Sequence, residues 1–225
     1  NVGNADLYLE TIARAAEALV NSHGLEIKKH MIDAALLLRS RSDFEEICAR
    51  LDSTKSEESK RWSLRGKLAF DVNEPEVRAL ATLTPQPGDI AAMVSALHRM
   101  EEEDQAVQLA KPFEGHPQVL NALGRCLKAN DPASAQAVFE RSLKIADGQP
   151  DVWAEKSMLD EKLGGKESAI QSMENALSYW SDETEWHIRA AHLWQDAGDI
   201  KRAMDHLRHA FDQDPQNTEL QFHIG

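Results

Sequence analysis

The sequence is self-similar at a shift of 34 residues. Blocks 116–149, 150–183 and 184–217 superpose without a gap, and a fixed period of this length marks a chain assembled from stacked supersecondary units. Small residues fall in phase: Ala135, Ala169 and Ala203 coincide where two helices would approach closely. Four residues on come Phe139, Met173 and Leu207, and four further Leu143, Leu177 and Phe211. This i, i+4, i+8 stripe is one face of an α-helix. A small residue, Ser142, Ala176 or Ala210, precedes the last apolar position each time. Asn130, Gly164 and Gly198 also coincide, and these residue types take the left-handed conformation past a helix end at least cost. Asp131 and Asp199 then read as N-caps of the next helix, with Pro132 suited to a first turn.

These features resemble the tetratricopeptide repeat, a helix-turn-helix unit of 34 residues. Block 184–217 matches through Trp194, Gly198, Ala203, Ala210 and Pro215. Block 150–183 supplies Trp153, Gly164, Ala169 and Ala176, with Asp160 in the usual aromatic place and Ser181 in that of the closing proline. Block 116–149 keeps Ala135, Phe139 and Leu143, with Cys126 in the aromatic place. The resemblance implies an all-α fold, a right-handed superhelical solenoid of antiparallel helix pairs, with first helices lining a concave groove and second helices outside. Weaker units are expected upstream. Residues 88–115 carry Ile90, Met93, Val94 and Leu97, then Ala106, Val107 and Ala110; residues 57–86 run from Trp62 and Gly66 to a helix opened by Pro75; residues 25–52 and 4–22 add more helices. The expected organisation is residues 1–115 as degenerate helical repeats and residues 116–225 as three repeats plus the start of a fourth, in one continuous solenoid. Short helices are marginal alone, and a two-helix unit cannot bury both apolar faces, so each unit must stack on its neighbours.

Charge narrows the partner class. The chain of 225 residues carries a net charge of −13, spread over both halves. Phosphate backbones are bound by Lys and Arg that displace counterions, so this balance argues against nucleic acid and against anionic membrane surfaces. No apolar run reaches membrane-spanning length, so no membrane insertion is expected. Cys48 and Cys126 are too few for a metal cage or a disulfide scaffold. A reducing compartment, the cytoplasm, is the expectation, with a periplasmic domain as the alternative. The chain begins at Asn1 and stops at Gly225 just after a new helical pattern has begun, which suggests a piece of a longer protein.

In the repeat pattern the groove-facing positions are Leu120, Asn121 and Lys128; Ala154, Glu155, Met158, Glu161 and Lys162; Glu185, Ile188, Arg189, His192 and Gln195; and Glu219, Phe222 and His223. Such grooves hold an extended peptide or a partner's helix. One subfamily grips a C-terminal carboxylate with Lys and Asn from successive first helices. Here the matching places hold Leu120, Gly124, Glu155 and Glu185, so that clamp is absent and only Arg189 survives from it. A ligand of mixed charge is expected, and the expected function is that of a non-catalytic protein-interaction scaffold. Two alternatives follow from the resemblance: a regulatory or sensor arm of a multidomain signalling protein, transcription regulator or glycosyltransferase, and a subunit of an RNA-processing assembly. The second alternative is suggested by "VWAEKSMLDEKLGG" and "VFERSL".

Chemical motifs are lacking: the chain has no glycine-rich phosphate loop, no metal-protease signature and no serine elbow. No enzyme activity and no cofactor is expected. His206 and His209 share a helix face but want a third ligand for a metal. "EEED" at 101–104 reads as a charged turn or helix end rather than a cation loop. Lys60, Arg61, Arg65 and Lys67 surround Trp62, where a phosphate or acidic-peptide clamp competes with a solvated helix face. Cys126 is expected in the core, and nothing places a general base beside Cys48.

Overall fold

Pro87, Pro117, Pro132 and Pro150 each open an α-helix, as expected of a residue whose φ suits a helix and whose missing N–H is no loss in the first turn. The computed structural model describes residues 48–49, 52–53, 56–70 and 74–215. The expected helix at 4–22, nearly all of the unit at 25–52, and Glu219, Phe222 and His223 lie outside them. The helices are α1 (Glu57–Phe70), α2 (Glu74–Ala81), α3 (Pro87–Arg99), α4 (Glu103–Ala110), α5 (Pro117–Leu127), α6 (Pro132–Ile145), α7 (Pro150–Lys162), α8 (Lys166–Tyr179), α9 (Thr184–Asp196) and α10 (Ile200–Gln213). A 3₁₀ turn spans Lys111–Phe113. No strand occurs among the described residues. The chain divides into two units, Asn1–Leu109 and Ala110–Gly225.

In the first unit α1, α2 and α3 pack on one another around Leu64, Leu68, Leu80, Ile90, Met93, Val94 and Leu97. Of the basic residues near Trp62, Arg61 and Arg65 are committed to this packing, whereas Lys60 is exposed. Asp89 is fully buried and accepts from Arg61 Nε at 2.8 Å and Arg65 Nε at 2.7 Å. Arg61 also meets Glu58 at 2.8 Å and the Thr84 carbonyl at 2.8 Å, Arg65 lies over the Trp62 ring, and Lys67 pairs with Asp52 at 2.9 Å. Arg61 and Arg65 are therefore structural cations that join α1 to the start of α3. Arg99 returns the contact, donating to the carbonyls of Leu68 and Ala69 in the last turn of α1, where backbone acceptors lack helical partners.

The "EEED" stretch is the turn expected. α3 ends with Glu102 N–H on the Leu97 carbonyl at 2.9 Å and Glu101 at φ 63°. A residue with a β-carbon pays roughly 1–2 kcal/mol in this conformation. Glu101→Gly should therefore stabilise the protein by about 1 kcal/mol after the extra chain entropy of glycine is allowed for, measured as a raised urea midpoint. A lowered midpoint would contradict the strain assigned here. Downstream Ala106 is buried, whereas Val107, expected on the same apolar face, is exposed.

The second unit shows the period directly. Its second helices α6, α8 and α10 start at Pro132, Lys166 and Ile200, and each has 14 residues. Asp131 and Asp199 cap α6 and α10, accepting from Ser134 N–H at 3.1 Å and Arg202 N–H at 3.0 Å. Gly164 and Gly198 have φ of 83° and 84°. At both, the N–H of the residue after the glycine returns to a carbonyl five residues back: Gly165 to Asp160 at 2.8 Å and Asp199 to Trp194 at 2.9 Å. Asn130 departs from the expectation. It is not left-handed, because Asp131 N–H reaches the Leu127 carbonyl at 2.8 Å and closes that turn without a positive φ.

Helices pair as α5/α6, α7/α8 and α9/α10, and α6/α7 and α8/α9 join successive pairs. Ala135 and Ala169 are fully buried and Ala203 nearly so, which lets the paired backbones approach. Gly124 serves the same end, since a β-carbon there would sit 2.5 Å from the Phe139 ring. The core is a row of clusters. Phe139, Leu143, Val152 and Leu159 form one; Ile170, Met173, Leu177 and Leu193 the next; Ala191, Ala203, Leu207 and Ala210 the third. Trp153 packs against the first two and Trp194 against the last two.

The aromatic place of the middle block is filled by polar chemistry. Asp160 is fully buried and accepts from Lys156 Nζ at 2.8 Å, Ser168 Oγ at 2.8 Å, Ser172 Oγ at 2.7 Å and Gln136 Nε2 at 2.5 Å. Burial opposes its ionisation, but the hydrogen bonds from Lys156, Gln136, Ser172 and Ser168 together outweigh burial and hold the carboxyl below its ordinary range. The network ties α6, α7 and α8 together.

Candidate partner-binding face

The first helices α5, α7 and α9 recur one period apart, so equivalent side chains on successive helices become neighbours. Asn121, Arg125 and Lys128 stand at i, i+4 and i+7, on one face. Arg125 Nε donates to Glu155 Oε1 of α7 at 2.6 Å, and Lys128 Nζ lies 3.5 Å from Glu155 Oε2. One period on, Arg189 of α9 donates to Glu161 of α7. The face is thus crossed by two rungs of paired charge, cations of α5 to an anion of α7, then an anion of α7 to a cation of α9. Such exposed pairs contribute little to stability, about 0–1 kcal/mol each. Between the rungs Met158 is 44% exposed, an apolar side chain among charges. Lys162, Glu185, His192 and Gln195 are exposed on the same helices.

Several expected groove residues are placed otherwise. Leu120 is fully buried and lines no surface, because the turn of α5 that presents Asn121 outward points Leu120 into the core. Ala154 is buried against α8 residues in the second cluster. Asn121 is half-buried and tied down, donating to Gln149 Oε1 at 2.7 Å and accepting from Ser142 Oγ at 2.5 Å. It orients the approach of α5 to α7. Ile188 is partly buried against the third cluster. Phe222 lies outside the described residues. Arg125 was missed from sequence; its i, i+4 spacing after Asn121 and its place one repeat before Glu155 are the signals that mark it.

The opposite side presents α8 and α10. His206 and His209 share a face of α10, as expected, but His209 stacks on His187 with ring centroids 5.2 Å apart rather than turning toward a common point. Among the described residues no group of three or more His, Cys, Asp or Glu side chains is arranged to hold a metal ion. No helix among them is long and apolar enough to cross a membrane. Cys48 and Cys126 are buried, Cys126 in the core as expected, and Cys48 Sγ lies 3.9 Å from the Ser63 carbonyl oxygen.

Helix pairs of one period, closed by left-handed glycines and locked by small residues, define the tetratricopeptide-repeat fold. The chain resembles solved structures of that fold. PilF of Pseudomonas aeruginosa is similar at 19% identity, with 87% of this chain and 97% of that chain covered and a TM-score of 0.61. MamA is similar at 11% identity over 80% of this chain and 98% of that one, with a TM-score of 0.56. IFIT1 with Gppp-AAAA is similar at 15% identity over 98% of this chain and 59% of that one, with a TM-score of 0.58. No family model matches the sequence and no curated protein matches it.

Proposed function

We propose that the first-helix face of the second unit holds an extended peptide or a partner's helix, and that the protein is a non-catalytic interaction scaffold. The observation that supports this most is the side-by-side placement of Glu155, Met158, Glu161, Lys162 and Arg189 on successive first helices. A ligand lying across them meets alternating charge with an apolar contact at Met158. The shape suits a mixed-charge segment that replaces one intramolecular ion pair with another at small net cost. Protein is favoured over nucleic acid because Arg125, Lys128 and Arg189 are already engaged by carboxylates, which leaves few cations on this face to displace counterions. Two cysteines are too few for a disulfide scaffold, which suits the cytoplasm, the compartment we propose.

The test is affinity capture from native lysate with the wild-type chain beside the variant Met158→Glu with Lys162→Glu. Both residues are exposed, so helicity by circular dichroism should be unchanged. Bound partners should fall at least about tenfold, which corresponds to roughly 1.4 kcal/mol. Equal capture by the two proteins would move the binding surface elsewhere.

A further inference from the structure

Helices α8, α9 and α10 meet at a line of hydrogen-bonding groups that the first-helix face does not use. His187 of α9 is buried. Its Nε2 lies 2.9 Å from the carbonyl oxygen of Ser181, and its Nδ1 lies 3.0 Å from Nδ1 of His206 on α10. The other nitrogen of His206, Nε2, lies 3.0 Å from Oε1 of Glu174 on α8. Both ends of this line are acceptors. A backbone carbonyl has no hydrogen to give, so His187 Nε2 carries one; the carboxylate has none either, so His206 Nε2 carries another. The contact between the two Nδ1 atoms requires a third. Three N–H groups on four ring nitrogens is one more than two neutral imidazoles possess.

We infer that the His187–His206 pair of the folded protein binds one proton at neutral pH, holding a single positive charge that Glu174 neutralises and that joins α10 to α8 and α9. The proton belongs to the imidazoles rather than to Glu174. The same Oε1 accepts from Trp194 Nε1 at 2.7 Å, and Arg202 lies over the Trp194 ring at 4.3 Å. The hydrogen bond from His206 above all, then that from Trp194 and the charges of His206 and Arg202, hold the Glu174 carboxyl below its ordinary range despite burial. A second proton is opposed. Burial lowers His187 first, and His206 and His209 add to this against the favourable Ser181 carbonyl.

The remaining charged groups near the pair line a cleft of about 850 Å³ between α8 and α10. From α8 come Lys166 and Glu167, from α9 Asp196, and from α10 Asp205 beside His209. Acids outnumber bases there, which favours keeping the shared proton. Loss of that proton at higher pH leaves two lone pairs facing each other at 3.0 Å. Its contribution to stability is therefore present near neutrality and lost as pH rises. On the acid side the sign reverses. The unfolded chain takes up the second proton near pH ~6.5 while buried His187 resists it, so stability also falls as pH drops through that value.

Long-range nitrogen–proton NMR of the histidine rings in the full chain, recorded from pH 5 to pH 9, reads the proton directly. At pH 7 the pair should show three ring N–H groups, with His187 bearing hydrogen on Nε2. The variant Glu174→Gln supplies a donor where the carboxylate was an acceptor. With the amide nitrogen in the Oε1 position a neutral line is complete, from the new amide to His206 Nε2, from His206 Nδ1 to His187 Nδ1, and from His187 Nε2 to Ser181; the bond from Trp194, which shared that oxygen, is given up. Both rings should become neutral at pH 7. Above neutrality the wild-type folding constant should fall by up to about tenfold per pH unit, the limit for one proton, and that fall should vanish in Glu174→Gln. Two neutral rings in the wild type at pH 7, or an unchanged imidazolium signal in Glu174→Gln, would overturn the inference; the wild-type spectrum decides even where the variant does not fold.

Discussion

Asp160→Ala should destabilise the second unit by about 3–5 kcal/mol, the cost of leaving a buried cation without its counter-charge. Lys156 is almost fully buried beside Asp160. Its other close acceptors are the Ser168 and Ser172 hydroxyls at 3.4 and 3.3 Å, with Glu140 at 3.6 Å. None replaces a buried carboxylate. Urea unfolding followed by circular dichroism measures the loss, and a change under 1 kcal/mol would show that water or Glu140 screens Lys156. The paired variant Lys156→Met with Asp160→Leu should recover most of the stability, since apolar replacement of a whole buried pair is often neutral or favourable. The acid limb follows from the same carboxyl. Its value is depressed in the folded chain, so its contribution is present above the ordinary aspartate value of ~3.9 and is lost as pH falls through the lower, folded value.

Ala169→Trp should cost about 3 kcal/mol or more and lower the thermal midpoint on the order of 10 °C. Ala169 is fully buried where α7 meets α8, and its carbonyl accepts from Ser157 Oγ at 2.8 Å. An indole there must push the two helices apart and break that bond. The loss extends beyond one pair, because Met173 and Leu177 on the same helix pack in the cluster with Ala190 and Leu193 of the next pair, and stacked units share their stability through such interfaces. A differential scan shows the effect, and an unchanged midpoint would mean that the helix register is wrong.

Much of the architecture was readable from local chemistry. Pro132, Asp131, Asp199, Gly164 and Gly198 each act through their own backbone or a neighbour within a few residues, so their roles survive any arrangement of the rest. Ala135, Ala169 and Ala203 were readable because a helix face repeats its pattern every turn. Where a conformation depended on a competing bond, sequence was insufficient, as at Asn130, whose turn closes through Asp131 and Leu127 instead.

The binding face was less legible. Leu120 and Asn121 are adjacent in sequence, yet one is core and the other half-exposed, because the orientation of α5 against α6 and α7 decides which of two neighbouring directions faces inward. Arg125 met Glu155, and Arg189 met Glu161, only after successive first helices were laid side by side. Arg61 and Arg65 looked like a surface patch until the start of α3 brought Asp89 beneath them.

The amino-acid order by itself determined the period, the helix boundaries and the faces that must be buried, since propensity, capping and the 3.6-residue repeat act over one or two turns. Tertiary structure alone decided the partners of the charged and titratable groups. Asp160 with Gln136 and Ser172, and Glu174 with His206 and His187, join residues from different helices, and an electrostatic or hydrogen-bonded contact depends on distances of a few ångströms that only packing sets.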